Sequence, residues 1–283
     1  MTVLVFGSAI VDQIFRTAAL PLAGETVLAE TSPASAGGKG LNQAVAAARA
    51  GARVSFFGAV GRDANAALLR QALEDAGVAA HLTEVEAPTG MAAVVVDAQG
   101  RNQIAVAPAA NMLARAPEVP AGTLVMLQME VPPAENAAMI LRARSVGARS
   151  MLNLAPAATQ PELSALNWLV VNEPEAAWLA SQLGRAPDAA ALAAALGIGV
   201  ARTLAERGAE YAGPEGRFHV PAFPIAVTDS VGAGDAWCGA LAAALHARVP
   251  MGIALRRANA AGALACTRPG AWAPTAAEID ALL

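Results

Sequence analysis

Thr-Asp-Ser-Val-Gly-Ala-Gly-Asp, at residues 228–235, precedes an apolar run at 236–247. The three small residues before Asp235 leave the backbone open to close approach by a ligand. Asp235 is predicted to open a helix, and the free N–H groups of a helix start attract anions such as phosphate. The stretch therefore indicates a phosphate site in which Asp235 takes a proton from an attacking alcohol. The alternative is a glycine-rich turn with Asp235 as its helix cap.

Apolar strands and amphipathic helices alternate along most of the chain. Strands are predicted at 3–10, 54–60, 124–129, 150–154, 168–171 and 200–204. Helices are predicted at 44–50, 63–77, 133–147, 172–184, 253–267 and 276–283. This alternation predicts one α/β domain over residues 1–283, a three-layer α/β/α sandwich with a mostly parallel central sheet.

Two regions interrupt this alternation. Residues 91–96 and 102–106 read as strands joined by a hairpin turn at 97–100, and residues 25–31 show weak strand alternation. These segments predict a small antiparallel sheet apart from the main one, formed by about 22–35 and 88–108.

Composition limits the possible functions. The chain has 283 residues, of which 55% are hydrophobic and 15% charged, which predicts a large buried core and excludes disorder. A net charge of −4 without a basic cluster argues against nucleic acid and anionic lipid as partners. Two cysteines in apolar surroundings predict free thiols and a cytoplasmic location. Neither a signal peptide nor a membrane-spanning run is expected.

A second glycine-rich stretch, Gly-Gly-Lys-Gly-Leu-Asn-Gln at residues 37–43, leads into the predicted helix at 44–50. Its backbone N–H groups indicate a place for a polar ligand, and the alternative is a plain helix-start loop. Asp12 and Glu130 lie beside the ends of predicted strands, where ligands collect in open α/β sheets. The alternatives for these carboxylates are a turn and a solvated strand end.

The two glycine-rich stretches, in this order, resemble the two signature motifs of the ribokinase family of sugar kinases, and most closely its ribokinase branch. Segments 24–27, 58–61, 152–157 and 267–271 agree as well, so the resemblance covers nearly the whole chain. It implies transfer of the ATP γ-phosphoryl group to a primary alcohol of a sugar, with ribose the expected acceptor. Asp235 would be the general base. The backbone N–H groups of Gly232, Ala233 and Gly234 would hold the transferring group.

The resemblance also implies the residues that bind each substrate. The sugar would contact Asp12, Gly38, Lys39, Gly40, Asn42, Glu130 and Asp235. The nucleotide would contact Asn172, Thr203, Arg207, Gly208, Gly234 and Asn259. The chain departs from the family pattern at Ile10, where an Asn that binds the sugar is usual, and at Ala205, where a Gly is usual.

Metal ions and a partner subunit are further implications of the resemblance. Magnesium would be held, mostly through water, near Asn172 and Glu175, whose alternative role is a helix cap with a first-turn Glu. Potassium would be held by Asp229, Val231, Ala265, Arg268 and Gly270, with Pro274 standing where a hydroxyl side chain is usual. The small sheet would be a lid over the sugar, and lids of this kind pair between subunits, which predicts a homodimer.

Two other functions stay open from the residues. A kinase of the same fold could act on a nucleoside, a ketohexose or a sugar acid, which the apolar Ile10 favours keeping in view. A sugar or nucleotide binder without catalysis is the second alternative, and the intact Asp235 argues against it.

Overall fold

The computed structural model describes residues 2–157 and 162–283, and its strands form two sheets. The strands are β1 (Val3–Phe6), β2 (Ile10–Arg16), β3 (Ala34–Gly37), β4 (Val54–Val60), β5 (Ala79–Glu84), β6 (Gly90–Val96), β7 (Asn102–Ala107), β8 (Leu124–Gln128), β9 (Arg149–Asn153), β10 (Trp168–Val171), β11 (Gly199–Thr203), β12 (Ala209–Gly213) and β13 (Gly216–Val220). The helices are α1 (Lys39–Arg49), α2 (Ala64–Asp75), α3 (Pro133–Ser145), α4 (Glu173–Leu183), α5 (Ala189–Leu196), α6 (Ala233–His246), α7 (Met251–Ala265) and α8 (Ala276–Leu282).

The larger sheet has nine strands in the order β13-β12-β11-β10-β9-β8-β1-β4-β5. From β5 to β11 the pairs are parallel, and β12 and β13 extend the sheet as antiparallel strands. Parallel strands are covered on both faces, which explains why β1 and β10 are apolar and buried along their whole length. The predicted mostly parallel sheet is therefore confirmed.

Helices cover both faces of this sheet. One core packs residues of α1, α2, α6 and α7 against the strands, including Leu41, Leu69 and Trp237. The other core packs residues of α3, α4 and α5, including Met139 and Leu179. The predicted three-layer arrangement is confirmed. In the described part of the chain, no helix is both long enough and apolar enough to cross a membrane.

The smaller sheet has four strands in the order β3-β2-β6-β7. Its β2–β6 pair is parallel and its two outer pairs are antiparallel, so the sheet is mixed rather than purely antiparallel. The strand predicted at 25–31 is wrong: an isolated bridge between Arg16 and Thr31 is the only pairing there. That segment is mostly exposed to solvent, and its Leu28 is 88% exposed.

The first predicted strand, 3–10, is also wrong as one element. The chain leaves the main sheet after Phe6, and Ile10 already belongs to the smaller sheet as the first residue of β2. The turn is held by buried Asn111, whose side chain accepts from Ala9 N (3.0 Å) and donates to Ala9 O (3.0 Å). This partner is distant in sequence, which is why the apolar run alone could not reveal the break.

Candidate active site

The start of α1 lies directly against the end of β1. Leu41 N donates to Ser8 O (2.9 Å) and Gly40 N donates to Ser8 Oγ (3.2 Å). A Cβ on Gly40 would lie 2.5 Å from Ser8 N, so only glycine permits this contact. The helix therefore begins at Lys39, five residues before the predicted start, and projects its first turn into the region between the two sheets.

Glu130, just after β8, connects the start of α1 to the segment after β1. Its Oε2 accepts from Lys39 N (3.0 Å) and from the Ser8 hydroxyl. Burial alone would lower the pKa of Lys39, but the charges of Asp235, Glu130 and Glu175 outweigh it and raise that pKa. One cation therefore balances three carboxylates that come from separate parts of the sequence.

Asp235 lies in the first turn of α6 and is buried. The helix starts at Ala233 after Gly232, which adopts a left-handed conformation, so the alternative reading of Asp235 as the helix cap is wrong. Its Oδ1 accepts from Gln43 Nε2 (2.9 Å) and its Oδ2 accepts from Asn42 Nδ2 (3.2 Å). Burial raises the pKa of Asp235, while Lys39 and the two amides oppose that rise. Its carboxylate is thus a stronger base than a solvated one.

Asp12 approaches the same corner from β2, in the smaller sheet. Burial, with a smaller contribution from Glu130, raises the pKa of Asp12 to about 6. A Cβ on Gly37 would lie 2.2 Å from Asp12 Oδ2, so Gly37 leaves room for the carboxylate. Ile10, two residues earlier, is 8% exposed and pairs with Gly37 and Gly90.

A cavity of about 660 Å³ opens beside the start of α6. Of the residues predicted to bind nucleotide, it is lined by Asn172, Thr203, Gly208, Gly234 and Asn259. Arg207 does not line it and instead forms an ion pair with Glu173. Most of the remaining wall was not predicted: it is the apolar segment 222–227 with Trp237, Ala263 and Cys266.

The side-chain amide of Asn259 is already paired within the protein. Its Oδ1 accepts from Trp237 Nε1 (2.8 Å), and its Nδ2 donates to Val220 O (2.9 Å) and Pro221 O (3.1 Å). Asn259 thereby fixes α7 to α6 and to the segment after β13. Its position in the cavity wall fits the prediction, but its polar atoms hold the wall rather than face an open space.

Ala205 lies on the cavity wall with a φ of 51°. An L-residue reaches this left-handed region only at a cost, which explains why glycine suits the position better. The neighbouring Gly208 has a φ of 92°, and a Cβ there would lie 2.0 Å from Val220 O. The loop after β11 is therefore shaped by one glycine that is required and one alanine that is strained.

Asn172 and Glu175 form a capping box at the start of α4. Asn172 Oδ1 accepts from Glu175 N (2.8 Å), and Glu175 Oε2 accepts from Asn172 N (2.8 Å). Burial raises the pKa of Glu175, opposed by the Asn172 backbone and by Lys39. The helix-cap role is thus real, and it places Glu175 within the electrostatic reach of Lys39. Residues 2–157 and 162–283 hold no group of three or more metal-binding side chains.

The two segments predicted to hold potassium lie together. Asp229 Oδ1 accepts from Val231 N (3.0 Å) and its Oδ2 accepts from Gly270 N (2.8 Å). Ala265 is fully buried at the end of α7, and the Arg268 guanidinium lies 4.0 Å from the ring centroid of Trp272. These contacts connect the 228–231 turn to the loop after α7.

Three residues near Lys39 and Asp235 were not predicted as site residues: Ser8, Gln43 and Asn111. Gln43 belongs to the second glycine-rich stretch, but the burial of its side chain was not predicted. Helical spacing places it on the side of α1 that packs against α6, where a polar residue needs a partner.

Comparison with known proteins identifies the family. The model of the pfkB family carbohydrate kinases matches residues 2–277. Ribokinase of Bacillus subtilis (strain 168) is 33% identical over 292 residues, covering 99% of this chain and 98% of that protein. The Bifunctional ribokinase/ribose-5-phosphate isomerase A of Fructilactobacillus sanfranciscensis is 33% identical over 262 residues, covering 86% of this chain and 48% of that protein.

A solved structure agrees with these sequence matches. Arabidopsis thaliana ribokinase, complexed with ribose and ATP, superposes with a TM-score of 0.88 at 29% identity, covering 99% of this chain and 98% of that chain. The predicted resemblance and fold are thereby confirmed. The chain belongs to the pfkB family of carbohydrate kinases and is an ATP-dependent sugar kinase.

Proposed function

We propose that this kinase transfers the γ-phosphoryl group of ATP to the primary hydroxyl of ribose, with Asp235 as the general base. The observation that carries the proposal is the position of Asp235. Its buried carboxylate lies between the charged corner around Lys39 and the cavity beside Gly234. The likeness to ribokinases, one of them solved with ribose and ATP, supports the choice of sugar.

The proposed step runs through Asp235. The carboxylate takes the proton of the sugar hydroxyl as the hydroxyl oxygen forms its bond to the γ-phosphorus. The bond between that phosphorus and the bridging oxygen breaks, and its electron pair leaves on ADP. The backbone N–H groups of Gly232, Ala233 and Gly234, at the start of α6, would stabilise charge on the transferring group, with Ala233 N exchanging its long bond to Ser230 O (3.3 Å) for a phosphoryl oxygen.

The sugar would be held by the polar corner of the site. Asp12, Lys39, Asn42 and Glu130 supply carboxylate, ammonium and amide groups, and each hydroxyl of a polyol needs such a partner once water is excluded. Gly38 and Gly40 would contact the sugar through their backbone, since their missing side chains leave room for the turn between β1 and β2. The nucleotide would enter the cavity, with Asn172, Thr203, Gly208, Gly234 and Asn259 in its walls and Arg207 fixed to Glu173 at its edge.

Two metal ions belong to this proposal. Glu175 would hold hydrated Mg²⁺, which when bound neutralises charge on the phosphates. Its single carboxylate, with both oxygens also accepting from Asn172, fits a cation held mostly through water. Asp229, Val231, Ala265, Arg268 and Gly270 would surround K⁺. Their two segments lie together, and Pro274 supplies no side-chain oxygen.

The smaller sheet is proposed to act as a lid over the sugar and to pair with a second subunit. All residues of β7 are exposed, with Ile104 and Val106 each 57% exposed. Such an apolar face has reason to be covered. Sedimentation should show a dimer that Ile104→Lys dissociates, and a monomeric wild-type protein would contradict this. The free thiols of Cys238 and Cys266 support a cytoplasmic location.

The test is a coupled ADP-release assay over ribose, other sugars and nucleosides, with and without potassium. Turnover is expected on ribose, and Asp235→Asn should reduce it by about 10²–10⁴-fold. Turnover confined to another acceptor would keep the mechanism and reject ribose. Absence of turnover on the whole panel would reject the proposed acceptors together.

A further inference from the structure

The two amides that contact Asp235 come from neighbouring residues of α1 but differ in their surroundings. Gln43 is fully buried, and its Nε2 donates to Asp235 Oδ1 at 2.9 Å. Asn42 is only partly buried, and its Nδ2 donates to Asp235 Oδ2 at the longer distance of 3.2 Å. One carboxylate oxygen is therefore held from inside the protein and the other from the open side of the site.

Building on the proposed role of Asp235 as the base, we propose that Gln43 is a positioning residue. It fixes Oδ1 and leaves Oδ2 as the oxygen that receives the proton. The sugar hydroxyl then replaces the Asn42 amide at Oδ2. Gln43 has no such freedom, because its side chain is enclosed between α1 and α6.

The packing around Gln43 explains why it stays in place. A Cβ on Gly239 of α6 would lie 2.8 Å from Gln43 O and 2.5 Å from Ala46 Cβ, so α1 and α6 approach each other closely at this level. The Oε1 of Gln43 has no hydrogen-bond partner within the described residues. A buried amide oxygen without a partner destabilises a fold, so the contribution of this side chain lies in its bond to Asp235.

The division of roles has a consequence for the pKa of Asp235. A hydrogen bond donated to a carboxylate stabilises its ionised form and lowers its pKa. Both amides do this in the free enzyme, whereas only Gln43 still does so once the sugar occupies Oδ2. Loss of the Gln43 amide must therefore raise the pKa of Asp235 both in the free enzyme and in the complex with sugar. Loss of the Asn42 amide must raise that pKa in the free enzyme only.

This difference is measurable, because the pH profile of kcat/KM reports the free enzyme and that of the saturated rate reports the complex. Asp12, whose pKa is about 6, contributes equally to the kcat/KM profiles of the wild type and the variants, so each shift is measured relative to the wild type. The variants are Gln43→Met, Gln43→Glu and Asn42→Ala, studied by steady-state kinetics and by single turnover at saturating ribose and ATP. Gln43→Met should move the acid limb of both profiles upward by about one pH unit, and Gln43→Glu by more, since it adds a like charge. Asn42→Ala should raise KM for ribose and move the limb of kcat/KM alone.

Gln128→Met is the matched control. Gln128 is equally buried and has both amide atoms without a partner in the described chain, and neither atom bonds to Asp235. Its pH profiles should match the wild type. The proposal is overturned if Gln43→Met and Gln43→Glu, both folded by thermal unfolding, keep wild-type acid limbs. It is also overturned if Asn42→Ala moves the limb in the complex as well. A failed base assignment is recognised separately, by an Asp235→Asn variant that retains wild-type turnover.

Discussion

The proposed sugar side and the proposed nucleotide side of the active site differ in the residues that form them. On the proposed sugar side, Asp12, Lys39 and Glu130 bring charges from three parts of the chain into one corner, where Lys39 N and the Ser8 hydroxyl donate hydrogen bonds to the Glu130 carboxylate. On the nucleotide side, the cavity is walled by the segment 222–227, by small helix residues and by Trp237.

This contrast follows from what each ligand needs. A polyol binds through hydroxyls, so its site must keep polar groups ready to exchange partners. A flat base binds mainly through its faces, so its site needs apolar walls held rigidly. Asn259 illustrates the second case, because its side-chain amide is hydrogen-bonded to Trp237 and to two backbone carbonyls. Replacement of a polar residue should therefore change activity on the sugar side and stability on the nucleotide side.

The turn before α6, which ends at Gly232 and is proposed to bind the transferring phosphoryl group, lies between the two sides and is called the anion turn. A substitution in it should have the largest effect on kcat. Gly232→Ala would force an alanine to a φ of 74° and place its Cβ 2.6 Å from Ala271 Cα. The turn and its N–H groups must shift, and loss of one such donor costs about 10²–10³-fold in kcat. We expect a fall of that size with unchanged ribose affinity, measured by single turnover and calorimetry.

Gly234→Ala is the matched control for the anion turn. In the described part of the chain, no heavy atom outside the local backbone of α6 lies within 4 Å of a Cβ built at Gly234, which has helical backbone, so the alanine should stabilise α6 by up to ~1 kcal/mol. Since Gly234 lines the cavity, the added methyl should weaken ATP binding despite the stabler fold. A Gly232→Ala variant that behaves like Gly234→Ala would remove the role assigned to the turn.

Asn259→Leu tests the nucleotide side. The change leaves Trp237 Nε1 and two backbone carbonyls without their partner, at a cost of about 1–3 kcal/mol for a buried group. Chemical denaturation should show that loss, while the KM for ATP of the folded fraction stays close to the wild type. A large rise in KM without loss of stability would show that the amide serves the nucleotide directly, and the contrast between the two sides would fail.

Much of this architecture could be predicted from the sequence. The apolar runs at β4, β8 and β10 and the amphipathic pattern of α2 are local signals, and the structure places these elements within a few residues of the prediction. The motif residues Lys39 and Asp235 and the strand-end residue Glu130 do meet in one corner. What the sequence could not show is partnership over long separations, such as that between Asn111 and Ala9.

The errors have physical causes of the same kind. β5 was not predicted, because an edge strand with the sequence Ala-Ala-His-Leu-Thr-Glu lacks a strong apolar run. The cavity wall at 222–227 has no secondary structure and no motif, so nothing marked it in advance. The nucleotide-binding roles of Asn259 and Arg207 stay predictions, and the structure adds that their polar atoms also bond within the protein.

The pKa of Asp12 provides a sharper test of the sugar side. It is raised from 3.8 to about 6, so the ionised carboxylate is present above pH 6 and is lost as the pH falls through it. If the proposed ribose site uses Asp12 as a charged acceptor, which binds a hydroxyl more strongly than the neutral acid does, affinity should fall as the pH drops below 6, by about tenfold per pH unit at most. The stability contribution has the opposite sign: it is complete below 3.8 and is lost as the pH rises through 6.

Calorimetry of ribose binding from pH 5 to 8 measures this effect, and Asp12→Asn should flatten the dependence. Asp97→Asn is the matched control, because hydrogen bonds from Arg101 and Gln99 overcome the effect of burial and lower the pKa of Asp97, so it does not titrate in this range. A wild-type affinity that stays constant from pH 5 to 8 would exclude Asp12 as a charged acceptor.

The smallest expected effect concerns the strained loop on the nucleotide side. Ala205→Gly removes the cost of a left-handed alanine, about 1–2 kcal/mol, and adds about 0.4–1 kcal/mol of chain entropy to the unfolded state. The net gain is therefore at most about 1.6 kcal/mol, which raises the melting temperature of a chain of this size by at most about 3 °C. Ala263→Gly, also in the cavity wall but within α7, should lower it instead. If Ala205→Gly and Ala263→Gly lower the melting temperature equally, the left-handed conformation of Ala205 does not destabilise the fold, and the strain assigned to this loop is rejected.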